Sequence, residues 1–307
     1  MSGAPSVQFE HEQPNPQRRG LRKGVYLIPS VFTAANIGMG FYAVMASLRG
    51  FQFVDGPGAD FAKAAAYFDN AAMAIGWAVV FDMLDGRLAR MTKTTTEIGI
   101  QLDSIADVVT FGLAPAVLAY VWGYGASLPE GTELHRLGWF ISFMYLMCGA
   151  FRLARFNVQA SRPRIIAEGT VKVDKKSFVG LPIPVAGGLI AAIVHFAPTP
   201  LVTFGSERAG IYSGLLMLLV GLLSVMMVST LRFSSFKTVG TRTRSMRTII
   251  LVVAVGMLIF LYSRYVLLAL VLAYILHGLL SRVLGMFWRR SDPAEATIEA
   301  NPAGRRS

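Results

Sequence analysis

Long apolar runs dominate the chain. Several approach or exceed the ~18 consecutive apolar residues that read as a membrane-crossing helix. With 54% hydrophobic and 15% charged residues, the chain carries far less charge than a soluble domain, about a quarter of whose residues are charged. The runs are continuous rather than alternating, which excludes a membrane β-barrel and predicts an all-α polytopic membrane protein. Eight spans are expected, at about 25–49, 66–90, 97–123, 137–157, 179–197, 210–231, 247–263 and 265–287. The last two form one apolar run, divided at Ser263-Arg264-Tyr265, where an arginine and two hydroxyls suit a membrane interface. There is no internal repeat and no linker separating two domains, and no secretory signal peptide is expected.

Loop charges set the expected orientation. Arg18, Arg19, Arg22 and Lys23 precede the first span. Arg90 and Lys93 lie between the second and third. A cluster from Arg152 to Lys176 follows the fourth, Lys237 to Arg247 follow the sixth, and Arg289 and Arg290 follow the last. The intervening loops, with Asp55 and Asp60, Glu130 and Glu133, and Glu207 with Arg208, are poorer in cations. Positive charge gathers on the cytoplasmic side, so both termini are expected there, with an even number of spans. The net charge of +11 then reflects loops facing anionic lipid rather than a nucleic-acid partner. The single cysteine, Cys148, excludes an internal disulfide framework and reads as a small apolar helix residue.

Against this background, four aspartates are conspicuous. Asp82 and Asp85, three residues apart, share a helix face near the end of the second span. Asp103 and Asp107, four apart, share a face near the start of the third. At about 1.5 Å per residue, all four fall within roughly 15 Å of the cytoplasmic helix ends. The short link from Met91 to Ile98 makes the two helices neighbours, so the carboxylates can meet at one depth. Four like charges in a low-dielectric setting must take up protons, pair with cations or bind metal. Arg87 and Arg90 offer two positive charges at most. Hard oxygen ligands on facing helices suit Mg²⁺ or Mn²⁺, and paired metals suit phosphoryl chemistry. Gly86 is unfavourable inside a helix by about 1 kcal/mol, and its missing side chain admits a ligand or a neighbouring helix. Gly99 and Ala89 offer the same opening, and Arg90, one turn beyond Gly86, can reach a phosphate. The bland alternatives are interface anchoring of the acids by arginine, and a proton or cation pathway; a pathway would spread acids through the membrane depth rather than gather them at one level.

The eight positions Asp82, Asp85, Gly86, Ala89, Arg90, Gly99, Asp103 and Asp107 fit the pattern D-x-x-D-G-x-x-A-R-x8-G-x-x-x-D-x-x-x-D without a gap. This pattern resembles the signature of the CDP-alcohol phosphotransferases. The resemblance implies a six-helix membrane core, usually dimeric, and metal-dependent transfer of a phosphatidyl group from a CDP-linked lipid to an alcohol, with release of CMP. It implies that Asp82, Asp85 and Asp103 ligate metal, that Asp107 completes the metal site and acts as general base, and that Gly86, Ala89, Arg90, Thr96 and Gly99 contact the CDP-lipid. It divides the chain into a polar tail (1–23), the family core (24–231), two additional C-terminal helices (232–290) and a polar, disordered tail (291–307). Direct transfer is expected because no serine–histidine or cysteine–histidine pair is evident near the site; His11, His135, His195 and His277 read as tail, loop or helix-packing residues.

The segments "TFGLAPA", "FRLARFN", "FVGLPIPVAGG" and "LIPSVFTAANIGMGF" resemble the serine-accepting branch of that family, with Ser30 departing from the asparagine common after the proline. The resemblance implies CDP-diacylglycerol and L-serine as substrates. A guanidinium fork matches the carboxylate of serine, which makes Arg152 and Arg155 candidate serine-binding residues. Pro182 and Pro184 fall at an expected helix start, where they can turn backbone carbonyls toward the ammonium. The alternatives are another acceptor, such as glycerol 3-phosphate or inositol phosphate, and a non-enzymatic transporter.

Overall fold

A computed structural model describes residues 16–54, 58–92, 97–161, 177–229, 232–234, 261–278 and 280. In chain order the helices are α1 (Pro16–Val54), α2 (Phe61–Thr92), α3 (Glu97–Asp107), α4 (Ala114–Ala119), α5 (Glu133–Ser161), α6 (Ile183–Phe196), α7 (Ser206–Val228) and α8 (Leu261–Gly278). A π-helical stretch, Val108–Leu113, joins α3 to α4, and a second, Tyr120–Tyr124, extends α4, so that one continuous rod ends at Tyr124. A two-stranded antiparallel ribbon, β1 (Ser177–Val179) with β2 (Arg232–Ser234), is the only sheet among the described residues.

Six stretches are long and apolar enough to cross a membrane: Val31–Val54, Phe61–Leu88, Ile98–Tyr124, Glu133–Val158, Ser206–Val228 and Leu261–Gly278. The polytopic helical class expected from the sequence is therefore present, and the chain is an integral membrane protein. The count of eight is not confirmed among the described residues. The run expected to span at 179–197 supplies only the 14-residue α6, about 21 Å long against a hydrocarbon core of about 30 Å. The expected break at Ser263-Arg264-Tyr265 is also absent, because α8 runs through it. Most of the span expected at 247–263 lies outside the described residues, as do both expected polar tails apart from the start of α1.

Helix starts follow local chemistry. Pro182 is extended (φ −59°, ψ 135°) and Pro184 sits in the first turn of α6, where a missing N–H disrupts nothing. Before α2, Asp60 Oδ1 accepts the Lys63 N–H at 3.0 Å. That backbone bond, assisted by the Lys63 side chain, holds the Asp60 carboxyl below the ordinary carboxylate range.

Small residues line much of the contact between α1 and α2. Ala43, Ala46, Ala71, Ala74 and Ala78 are buried there, beside larger buried side chains such as Phe68, whereas Phe41, Met45, Trp77, Leu218 and Val225 face outward. Small residues let membrane helices approach closely, and outward-facing bulk meets lipid. The most crowded region surrounds the first π-helical stretch. A Cβ on Gly40 of α1 would collide with both the side chain and the backbone of Thr110, and one on Gly187 of α6 would come 3.0 Å from the Phe111 carbonyl oxygen. Thr110 Oγ1 donates to the Asn36 carbonyl at 3.0 Å, and the buried Tyr145 hydroxyl of α5 donates to the Phe111 carbonyl at 3.1 Å. Three helices thus clamp the segment that follows Asp107.

Gly40→Leu should destabilise the detergent-purified protein by roughly 1–3 kcal/mol through overpacking against Thr110. Gly38→Ala, which meets nothing within 4 Å, should not lower stability. Thermal denaturation of the two variants beside the wild type checks the contrast.

Candidate active site

The carboxyl half of α2 carries Asp82 and Asp85, and α3 carries Asp103 and Asp107. Carboxylate oxygens of Asp82, Asp103 and Asp107 lie within 4.8 Å of one another, and all three residues are half-buried. Opposite ligands of a Mg²⁺ ion stand about 4.2 Å apart, twice its ligand distance, so small side-chain rotations would close this trio around one ion. One oxygen of Asp107, Oδ1, is buried with no hydrogen-bond partner. A buried carboxylate oxygen without a donor is stabilised by a cation or a ligand hydroxyl. The donor set and its spacing therefore fit a divalent metal.

Asp85 stands apart from the trio. It is 6% exposed and accepts a hydrogen bond from the Thr33 hydroxyl of α1, while its charge still acts on Asp103. Of the other expected site positions, Gly86 is half-buried on α2 and Gly99 is exposed on α3. Ala89 and Arg90 lie in the last turns of α2, and Thr96 falls outside the described residues.

The two arginines of α5 diverge. Arg152 has a buried Nε without a hydrogen-bond partner. Arg155 instead donates to the Val228 carbonyl at the end of α7, at 3.5 Å. Two residues along α5, Asn157 Nδ2 donates to Ser104 Oγ at 2.8 Å, tying α5 to the helix that carries Asp103 and Asp107.

Two site residues escaped the sequence reading. Thr33 holds Asp85. Asn36, one turn further along α1, is 1% exposed, and both atoms of its side-chain amide lack partners. The signal was available: two polar residues three apart in an apolar helix share a face. Among the described residues, the buried side-chain polar atoms without a hydrogen-bond partner belong to Asn36, Asp107 and Arg152. One is an amide, one a carboxylate and one a guanidinium, contributed by α1, α3 and α5. Such groups call for a ligand, an ion or water.

Comparison with known proteins agrees with this chemistry. Residues 26–225 match the family model described as CDP-alcohol phosphatidyltransferase. A CDP-diacylglycerol–serine O-phosphatidyltransferase of Helicobacter pylori is 32% identical over 221 residues, covering 70% of this chain and 75% of that protein. Proteins of the same name are similar from Bacillus subtilis (32% over 170 residues, 55% of this chain and 76% of that one) and Saccharomyces cerevisiae (33% over 157 residues, 51% and 49%).

Added Mn²⁺ or Mg²⁺ should raise the melting temperature of the purified protein, and chelation should reverse the rise. At a hundredfold excess over Kd, the stabilisation is about 2.7 kcal/mol. Asp103→Ala should abolish the metal-dependent part of the shift, whatever it does to the metal-free melting temperature.

Proposed function

Because the chain belongs to the CDP-alcohol phosphatidyltransferase family, we propose that it transfers the phosphatidyl group of CDP-diacylglycerol to L-serine, yielding phosphatidylserine and CMP. The convergence of the Asp82, Asp103 and Asp107 carboxylates carries the reading, and the serine-specific names of the similar proteins choose the acceptor.

Asp82, Asp103 and Asp107 would hold the divalent cation, Mg²⁺ or Mn²⁺, with Asp85 joining them on release from Thr33. When bound, the cation supplies charge neutralisation at the pyrophosphate and the reacting phosphorus. Gly86, Ala89, Arg90, Thr96 and Gly99 would line the CDP moiety, with the Arg90 guanidinium suited to a phosphate. Asp107, the carboxylate furthest along α3, would take the serine hydroxyl proton; its unpartnered Oδ1 supports that role. The serine oxygen then bonds to the phosphorus bearing the diacylglycerol, the bond from that phosphorus to the bridging oxygen breaks, and CMP leaves with the electron pair. Arg152, whose buried Nε has no hydrogen-bond partner, would receive the carboxylate of serine. The unpartnered Asn36 amide is chemically suited to the same zwitterion, offering both an acceptor and donors.

The wider setting belongs to the same proposal. The active site and both termini face the cytoplasm, the membrane is the bacterial inner membrane, the enzyme is a homodimer, and the core over 24–231 is followed by C-terminal helices that are additions to it.

Purified protein given CDP-diacylglycerol, Mn²⁺ or Mg²⁺ and single acceptors should release CMP with serine. Product with glycerol 3-phosphate or inositol phosphate but none with serine would overturn the acceptor assignment. Asp82→Ala should abolish turnover. Asp107→Asn, which removes the base, should lower kcat by roughly 10²–10⁴-fold.

A further inference from the structure

One face of α1 runs past the acidic cluster. Thr33, Asn36 and Gly40 recur at intervals of three and four residues and share that face. Its first position, Thr33, donates to Asp85 of α2. Its last, Gly40, sits so close to Thr110 that no Cβ fits. Between them, the Asn36 backbone carbonyl accepts the Thr110 hydroxyl at 3.0 Å. Asp107 lies three residues back along the rod from Thr110, roughly 4.5 Å of helical rise. Consecutive spans alternate in direction, so α1 and the rod run the same way. A helical side chain tilts back toward the start of its helix, and the Asn36 amide therefore leans from the Thr110 contact toward the level of the acids.

Asn36 is 1% exposed, and neither its Oδ1 nor its Nδ2 has a partner. Among the described residues, four buried side-chain atoms are left in this state. Two are acceptors, Asn36 Oδ1 and Asp107 Oδ1, and two are donors, Asn36 Nδ2 and Arg152 Nε. An amino acid that bears a hydroxyl matches them in kind, since its hydroxyl and ammonium give protons and its carboxylate accepts them. A divalent cation would satisfy only the oxygens, and a phosphate only the nitrogens. With the hydroxyl proton directed to Asp107, the ammonium is left with Asn36 Oδ1. An uncharged acceptor suits that place, because a further carboxylate would add to the repulsion among the acids.

We infer that Asn36 reads the amine of the acceptor: its Oδ1 accepts from the ammonium of serine while Asp107 takes the hydroxyl proton, and its Nδ2 donates to an oxygen of the same ligand. This rests on the reading of the chain as a serine phosphatidyltransferase and deepens it, by giving amine selectivity to one residue of α1. An acceptor without an amine leaves Oδ1 buried and empty, which penalises its binding.

Asn36→Thr nearly keeps the side-chain volume, and the new hydroxyl can bond a carbonyl of its own helix, so the bundle should fold. The KM for serine should rise about ten- to a hundredfold, the worth of a hydrogen bond to a charged group, with the KM for CDP-diacylglycerol unchanged. The probe of the amine is 3-hydroxypropionate, which is serine without it. As a competitive inhibitor its Ki should stay close to the wild-type value, so the preference for serine shrinks about tenfold or more. A wild-type serine KM, or equal losses for serine and the analogue, overturns the inference. Should Asn36→Thr not fold, Asn36→Ala takes the same measurements, and the wild type alone supplies another: a Ki for 3-hydroxypropionate at or below the serine KM also overturns it. A wild type that releases no CMP with serine removes the functional reading and the inference together. A wild type that uses serine, beside a variant with unchanged selectivity, removes the inference alone.

Discussion

Mutual repulsion among carboxylates brought within 4.8 Å of one another, in a bundle of apolar helices, is the constraint around which the protein is built. The described neighbours soften it unevenly. The Thr33 hydroxyl takes up Asp85, whereas Asp107 Oδ1 is buried without a hydrogen-bond partner. The Asp82, Asp103 and Asp107 carboxylates are matched in charge and spacing to a divalent cation.

Repulsion among carboxylates requires a frame that does not yield. The helices supply it through contact rather than through bulk. Gly40 and Gly187 bring α1 and α6 against the backbone just beyond Asp107, and Tyr145 caps the Phe111 carbonyl from α5. Large apolar side chains serve both faces: Phe68, Phe111 and Tyr145 are fully buried, whereas Phe41, Trp77 and Leu218 are turned outward. Deep in the bundle, van der Waals contact between small residues holds the acids at one level.

The acidic motif was legible because its spacing maps directly onto helix faces: three and four residues apart is one face, whatever the tertiary fold. The start of α6 was legible for a similar reason, since Pro182 and Pro184 act through local backbone geometry. What hydropathy alone did not reveal was span number. The run expected at 179–197 ends close to where α6 does, at Phe196, but its first residues are the end of β1 and the extended turn at Pro182, so only 14 residues are helical. Ser263 and Arg264 read as an interface break because polar residues commonly end a span. Their partners, Asp69 and His195, lie far away in sequence, and a polar pair satisfied across helices leaves no local trace. The histidine was read as a helix-packing residue; its packing runs through two hydrogen bonds rather than apolar contact. Thr33 and Asn36 were visible as polar residues in an apolar helix, but their partners were not.

The wide turns that follow Asp107 have a consequence for how this span tolerates change in length. A π turn accommodates one residue more than an α turn. Deleting a single residue between Val108 and Leu113 would let the rod rewind as ordinary helix with the turns on either side close to their present phase. The change would stay local, at the contacts that Thr110 and Phe111 make with Gly40, Tyr145 and Gly187. In α7, which is regular from Ser206 to Val228, no such slack is stored, and the same deletion would turn one part of the helix against the other by about 100°. The irregular winding is thus a reserve of length placed directly after the acids.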